Sequence, residues 1–548
     1  MPGYLYSQQS LPVLTLLIML PLLGMLLIGL GSILKLNQRV IKLGAIAWSL
    51  IPVGIAIMLY AGFDQRAVRD GQQVIQFVEK ISWTKTIAVD YFLGLDGLSL
   101  PMVLLTTIIT PIALLAAFRV ERSVAMHYAL IFLLESAMLG YFLALNFFFF
   151  FIFWEFSLVP AFFLIQQWGR DERRRRSAAF TFFVYTFAGS IGMLLIFLLL
   201  YAATAAAGRG TFDLVELARL GQGLPVSGLS GNLETILFQF IDQTVLVSML
   251  GRYPLLYASI AFWGIFIALA IKLAIWPFHT WLPDAYAEAP VAGSVLLAAV
   301  MSKMGAYGML RILLPLFPEA AAYAAPAIGI LALIGVLAGA LGAYSVVATD
   351  MKRLIAYTSI NHMGYVGLAI AALAALPTSD TMSRAIALNG ALMQMVAHGL
   401  STAALFVLAE AIYTRTGTYR LSSMGGLRST MPTLSGAMMV AVFANLGLPG
   451  LAGFIGEFMI MRAVWASMPW IALLACIGLV ITALALLQMY GRIFNGPPAG
   501  QQSTNDLAMN SVEGWAIMPL LVLVLLLGIY PAPILDLSNA AVALLAGR

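Results

Sequence analysis

Long apolar runs separated by short polar connectors recur from one end of this chain to the other. A run of about 20 apolar residues crosses the roughly 30 Å hydrocarbon core of a bilayer as a helix, so the pattern predicts about 14 spans. They lie near 11–33, 40–62, 92–118, 125–145, 147–167, 177–203, 254–280, 291–314, 325–347, 353–375, 384–412, 432–462, 469–494 and 513–535. The phenylalanine block 147–151 leaves almost no polar connector after the fourth run, which predicts a tight helical hairpin. The fold class is all-α and polytopic. The first run lacks a basic flank and a small-residue cleavage site, so it reads as a retained span. One stretch is more than a connector: in 204–253, LETILFQFIDQTVLVSML is apolar and is expected to lie in the interface or pack on a neighbour.

Basic residues orient the spans. Connectors after odd-numbered spans hold Lys35, Arg39, Lys42, Arg119, Arg122, the run RDERRRR (170–176), Lys352, Arg353, Arg415, Arg420, Arg428 and Arg492. Positive charge marks cytoplasmic loops, which places both termini on the opposite face with the long loops 63–90 and 204–253.

Composition agrees: 62% of the 548 residues are hydrophobic and 10% charged, with a mean hydropathy of +0.96, outside the range of soluble domains. The net charge of +5 is spent on topology and implies no nucleic-acid partner. A single cysteine, Cys476, supports no disulfide framework, iron–sulfur cluster or zinc–thiolate site, so redox chemistry belongs to another subunit. No phosphate loop, dinucleotide fingerprint or histidine cluster with metal spacing appears.

The charges that topology does not explain lie inside the apolar runs. Lys272 in LLYASIAFWGIFIALAIKLAIWPF, Glu155 in FFFFFIFWEFSLVPAFFLI, Lys303 in GSVLLAAVMSKMGAYGML and Glu457 in LGLPGLAGFIGEFMIMRAVW are candidates for charge handling at membrane depth. Each such charge costs roughly 2.5–3.5 kcal/mol at a helix centre on insertion scales. Pro277 and Pro283 follow Lys272, and Gly447, Pro449, Gly450 and Gly453 precede Glu457, so both spans are expected to be interrupted, as transporter helices are at ion sites. The alternative is a lysine snorkelling from a helix end beside prolines that only kink. Glu155 and Lys272 form a candidate ion pair that opens and closes, or else a permanently closed structural pair. Lys303 is a candidate partner for Lys272, and His362 and His398 are candidate relays or hydrogen-bonding packing groups. Glu135 joins the candidates as another deep carboxylate; His279 reads as a structural or rim residue and His127 as interfacial.

Several segments then resemble one family. FFIFWEFSLVPAFFLI, KLAIWPFHTWLPDAYAEAPVAGSVLLAAVMSKMGAYGMLRI, DMKRLIAYTSINHMGYVGLA, HGLSTAALFVLAEAIY and FANLGLPGLAGFIGEFMI are similar to the M-type (chain 4) antiporter-like subunits of respiratory complex I and its photosynthetic relatives. The resemblance implies a 14-helix fold with two inverted five-helix repeats, each containing one broken helix, with breaks at Pro277 and at Pro449 and Gly450. It divides the chain into helices 1–3 (1–124), a first repeat (125–323), a second repeat (324–495) and a C-terminal loop and helix (496–548). It further implies a proton path with Glu155 and Lys272 as the switch, Lys303 as the connecting lysine, His362 and His398 as relays, and Glu457 toward the exit. The expected partners are other membrane-arm subunits, including homologous antiporter-like ones, and the lipid bilayer. FMN, iron–sulfur clusters and quinone would sit in those subunits, and none in this chain. The expected location is a bacterial cytoplasmic membrane, or a thylakoid membrane in a photosynthetic host. The loop 204–253 is longer than the family pattern, and the dozen or so residues after the last span leave no room for the lateral helix of L-type subunits. A subunit of a multi-subunit sodium or potassium/proton antiporter is the alternative.

Overall fold

The computed structural model describes residues 11–65, 68–69, 72–73, 75–84, 86–242, 251, 253–497 and 508–545; of the predicted apolar segment 233–250 the first part forms helix Leu233–Ile241 and 243–250 lie outside the described residues, as do both extreme termini. Twelve helices among them are long and apolar enough to cross a membrane. Met351–Ala375 and the interrupted pair Pro432–Asn445 and Ala452–Ser467 occupy the two remaining predicted places. This is a multi-pass helical membrane protein. Its outer helices, such as Val13–Ile33 and Glu172–Ala206, leave rows of Leu, Ile and Phe exposed, whereas Val291–Leu316 and Thr381–Thr416 are enclosed on almost every side.

The structure corrects several expected boundaries. The third span was placed from 92, but Val89–Leu95 is a strand paired antiparallel with Gln76–Thr84, and the helix begins only at Leu100. Among the described residues the fold is therefore all-α apart from this hairpin and a minor two-residue pairing. The last span, expected to reach 535, ends at Ile529 ahead of Pro531, and a second helix, Ala532–Leu545, follows. Proline at that place supplies no amide for the helical ladder. Arg173, Arg174, Arg175 and Arg176 form no loop: Asp171 accepts from the amides of Arg173 and Arg174, and the helix starts at Glu172.

The hairpin organises one face. The amides at a helix start have no intrahelical acceptors, and for the first span Glu79 supplies them, accepting from Leu14 N at 2.6 Å and Thr15 N at 3.0 Å. Lys80 donates to Asp213 Oδ2 at 2.8 Å, tying the hairpin to the 204–242 segment. The three residues between helices Val124–Leu143 and Phe147–Phe156 run between these two as a strand would: Leu145 N donates to Phe92 O and Leu214 N to Leu145 O, both at 2.9 Å. The tight hairpin predicted at 147–151 is thus closed by backbone bonds. A buried ion pair pins the start of the third span: Arg311 donates to Asp96 Oδ1 at 2.6 Å and to the Tyr307 hydroxyl at 3.1 Å.

Removing one partner of a buried pair strands the other charge, at a cost of about 3–5 kcal/mol. Asp96→Ala is therefore expected to lower the thermal unfolding temperature of the purified assembly, with Asp96→Asn losing less. Helix Leu233–Ile241 gives a pH test. Burial, with Glu319 nearby, raises the Glu234 carboxyl to about 7. A raised acid pKa adds stability that is complete below the unfolded value of about 4.3 and is lost as pH rises through the folded value. Hydrogen exchange of 233–241, corrected for the intrinsic rate, should accelerate between about pH 4 and 7 and level off above, and this pH dependence should vanish in Glu234→Gln.

Candidate functional site

Two helices are interrupted at membrane depth, and both first halves end in the same way. Pro254–Leu273 closes with Ile275 N donating to Ala270 O at 3.0 Å around Ala274, whose φ is +63°. Pro432–Asn445 closes with Leu448 N donating to Phe443 O at 3.1 Å around Gly447, φ +68°. This six-residue closure with a left-handed residue satisfies carbonyls that a helix end would otherwise leave open. At the first break, which includes Pro277, Trp281 Nε1 donates to Ile271 O at 2.9 Å. The second break holds Pro449 and Gly450, the latter also left-handed at φ +91°.

Lys272 sits two residues before the left-handed Ala274, in the last turn of its half-helix, where the negative end of the helix dipole favours a cation. It is 1% exposed. Its ammonium donates to Ser157 Oγ at 3.1 Å and lies 4.8 Å above the Trp154 ring, a cation–π geometry. Both contacts flank Glu155, yet no ion pair joins Glu155 to Lys272, and Glu155 Oε1 has no partner. The candidate pair is open in this structure.

Lys303 stands on the next span between two π-helical turns, Leu297–Met301 and Met309–Leu313. Such turns widen a helix by one residue and free carbonyls. Its ammonium uses all three protons: Ala298 O accepts at 2.6 Å, Ser302 Oγ at 3.2 Å and His398 Nδ1 at 2.7 Å. Gly305 lets this span touch the lysine half-helix, since a Cβ there would meet Leu269 O at 2.5 Å. No hydrogen bond among the described residues joins Lys272 to Lys303 directly.

The series continues through the histidines. His398 accepts from Lys303 through Nδ1, which leaves its Nε2 as the donor, and that atom has no partner. The His362 ring centre is 5.4 Å from that of His398. His362 Nε2 donates to Asn445 Oδ1 at 2.9 Å; the Asn445 amide is oriented by its own bonds to Ser401 Oγ and Thr402 Oγ1. His362 Nδ1 has two partners: Gln394 Nε2 at 3.2 Å and Glu457 Oε1 at 3.2 Å. A neutral ring accepts from Gln394 and a charged ring donates to Glu457, so one geometry serves both protonation states. Gln394 also donates to Glu457 Oε1 at 3.3 Å. Glu457 is 5% exposed, and Gly447 leaves room for it: a Cβ there would stand 2.2 Å from Glu457 Oε2.

Lys303, His398, His362 and Glu457 therefore form one contiguous buried line, with Lys272 and Glu155 one span away. Glu135 is fully buried with neither carboxylate oxygen hydrogen-bonded, and no bond links it to this line. His127, expected at the interface, is instead completely enclosed, edge-to-face with Trp168 at 4.8 Å. Sequence reading passed over Ser157, Gln394 and Asn445. The available signal was a polar side chain inside an apolar run: Asn445 in VAVFANLGLPG, and Gln394 one helical turn before His398 in LMQMVAHG.

Residues 144–482 match the family described as "NADH:quinone oxidoreductase/Mrp antiporter, TM", and residues 73–146 match "NADH-ubiquinone oxidoreductase chain 4, amino terminus". The F(420)H(2) dehydrogenase subunit M of Methanosarcina mazei is 36% identical, over 98% of this chain and 99% of its own. The NADH-quinone oxidoreductase subunit M of Escherichia coli strain K12 is 38% identical, over 84% of this chain and 83% of its own. Among solved structures, a chain of respiratory complex I from Thermus thermophilus superposes with a TM-score of 0.77 at 26% identity, covering 98% of this chain and all of that one. A chain of the Mrp complex from Dietzia shares the fold, with a TM-score of 0.75 at 21% identity over 97% and 98% of the two chains. This chain belongs to the NADH:quinone oxidoreductase/Mrp antiporter family, among its M (chain 4) subunits: antiporter-like membrane-arm subunits of complex I-type, proton-translocating oxidoreductases.

Proposed function

We propose that this chain moves protons along the buried line Lys272, Lys303, His398, His362 and Glu457, driven by quinone reduction in other subunits of the assembly. The observation that carries this reading is the pairing of proton-exchanging groups at two steps of the line, lysine to imidazole at 2.7 Å and imidazole to carboxylate at 3.2 Å, with the two imidazole rings centred 5.4 Å apart between them, all nearly inaccessible to solvent. Lys303 spends every proton on a fixed acceptor. Lys272 has one hydroxyl and an aromatic face, so its charge is the less firmly held. Closing the gap to Glu155 would stabilise the ammonium on Lys272; opening it would favour handing a proton toward Lys303. The identical closure of the two half-helices supports reading 125–323 and 324–495 as inverted repeats, with Asn445 standing where Lys272 stands in the first.

FMN, iron–sulfur clusters and quinone are assigned to partner subunits, in line with the single cysteine. The relatives differ in their named donor, F(420)H(2) or NADH. The electron donor is accordingly set elsewhere in the assembly. The arginine-rich connectors support an orientation with the termini opposite the cytoplasm, in a bacterial-type inner membrane. Identities of 36–38% to M subunits against 21% to the Mrp chain favour redox-driven pumping over sodium or potassium exchange.

Two substitutions test the path. Lys272→Ala in the assembled complex should abolish proton uptake through this subunit in inverted vesicles; unchanged proton-to-electron stoichiometry in a fully assembled variant would sink the proposal. At the second break, Gly447→Ala places a Cβ against the Glu457 carboxylate at a left-handed position, a strain of about 1–2 kcal/mol before the clash. Uptake should fall several-fold, close to the level of Glu457→Gln, with subunit content on native gels unchanged.

A further inference from the structure

A large cleft lies away from the proton line, at the arginine-rich ends of the spans. About 880 Å³ in volume, it is lined by Arg170, Arg174, Arg353 and Arg420 with Asp350 as the only acid. Two of these arginines are engaged. Arg170 donates to Asp350 Oδ2 at 2.9 Å and stacks 4.2 Å over Tyr419, and Arg353 donates to Asp284 Oδ1 at 2.5 Å. Among the described residues the guanidiniums of Arg174 and Arg420 make no hydrogen bond or ion pair. Thr418 and Ser422 add neutral polar groups to the wall.

We infer that this cleft holds the phosphate of an anionic phospholipid headgroup, with Arg174 and Arg420 as its principal ligands. Guanidinium groups present planar donor forks matched to phosphate oxygens, and here two unpaired ones share a concave site whose remaining arginines are already fixed by acids. The apolar surroundings of the site select a lipid over a soluble anion. It lies where three inter-span connectors meet, at the end of Pro318–Ser345, and that helix exposes Leu341 (56%) and Tyr344 (48%) in the last turns before the lining residue Val346. A headgroup in the cleft would thus have an apolar track for its acyl chains. Basic pockets between spans on the cytoplasmic side suit such headgroups.

The site also joins the two halves of the chain. Arg170 and Arg174 come from the connector and helix start at 170–174, and Arg353 and Arg420 from the far side of the 324–495 unit. An occupant would tie these parts together at the surface. Naming the face cytoplasmic rests on the orientation proposed above; the phosphate chemistry does not, and neither ligand belongs to the proton line.

The intact purified complex would be crosslinked in nanodiscs with a photoreactive phosphatidylglycerol or its phosphatidylcholine counterpart, and labelled peptides mapped by mass spectrometry. We expect the anionic probe to label 170–176, 346–353 or 418–423 about tenfold more than the zwitterionic one, and the R174A/R420A variant to lose about that factor. Equal labelling by both probes, or undiminished labelling of the variant, overturns the site. Loss of labelling on adding excess inorganic phosphate, but not chloride at the same ionic strength, assigns the cleft to a soluble phosphate and overturns the lipid. Quinone reductase activity and native-gel mobility report assembly. Should the double variant fail to assemble, R420A alone, an exposed side chain outside any helix, must lower labelling several-fold for the assignment to stand.

Discussion

An ammonium ion inside a hydrocarbon slab is the constraint around which this molecule is arranged. Each of its protons needs an acceptor, and a regular helix has none to spare because every carbonyl is already used. Two devices meet this need. Near Lys303 the helix widens into π-helical turns and releases Ala298 O; near Lys272 the helix stops, and Ser157 Oγ and the Trp154 ring receive the ammonium. The charges and the irregular backbone are thus one feature. Enclosure by Thr381–Thr416 and its neighbours then keeps lipid away from both.

The lysines and glutamates were legible because a charge in an apolar run is conspicuous, and the helix breaks because proline and paired glycines announce them. What sequence could not supply was distance. Lys303 and His398 are far apart in the chain and 2.7 Å apart in space, whereas Glu155 and Lys272, the more obvious partners by charge, are not in contact. Gln394 and Asn445 escaped notice because neutral amides barely disturb hydropathy, although they orient His362. Glu135 shows the converse: conspicuous in sequence, it stands apart from the line.

Boundary errors share a cause. VDYFLGL is apolar enough to extend a predicted helix, and only pairing with Gln76–Thr84 shows it to be a strand. Hydropathy measures cost of exposure and is indifferent to which backbone geometry avoids it. Where caps decide, local chemistry was the better guide: Asp171 starts a helix within an arginine run that hydropathy had left as loop.

The cap on the first span has a consequence for how the chain is made. Val13 to Ile33 enters the membrane early in synthesis, but the carboxylate that satisfies its leading amides belongs to Glu79, which emerges only after the second span. Until the hairpin crosses to that face, the first helix rests on solvent at its end. Return of the hairpin to the face that holds the start of the first helix is therefore what completes that helix, so that a chain whose second span failed to cross would leave its earliest element unfinished before the proton line exists.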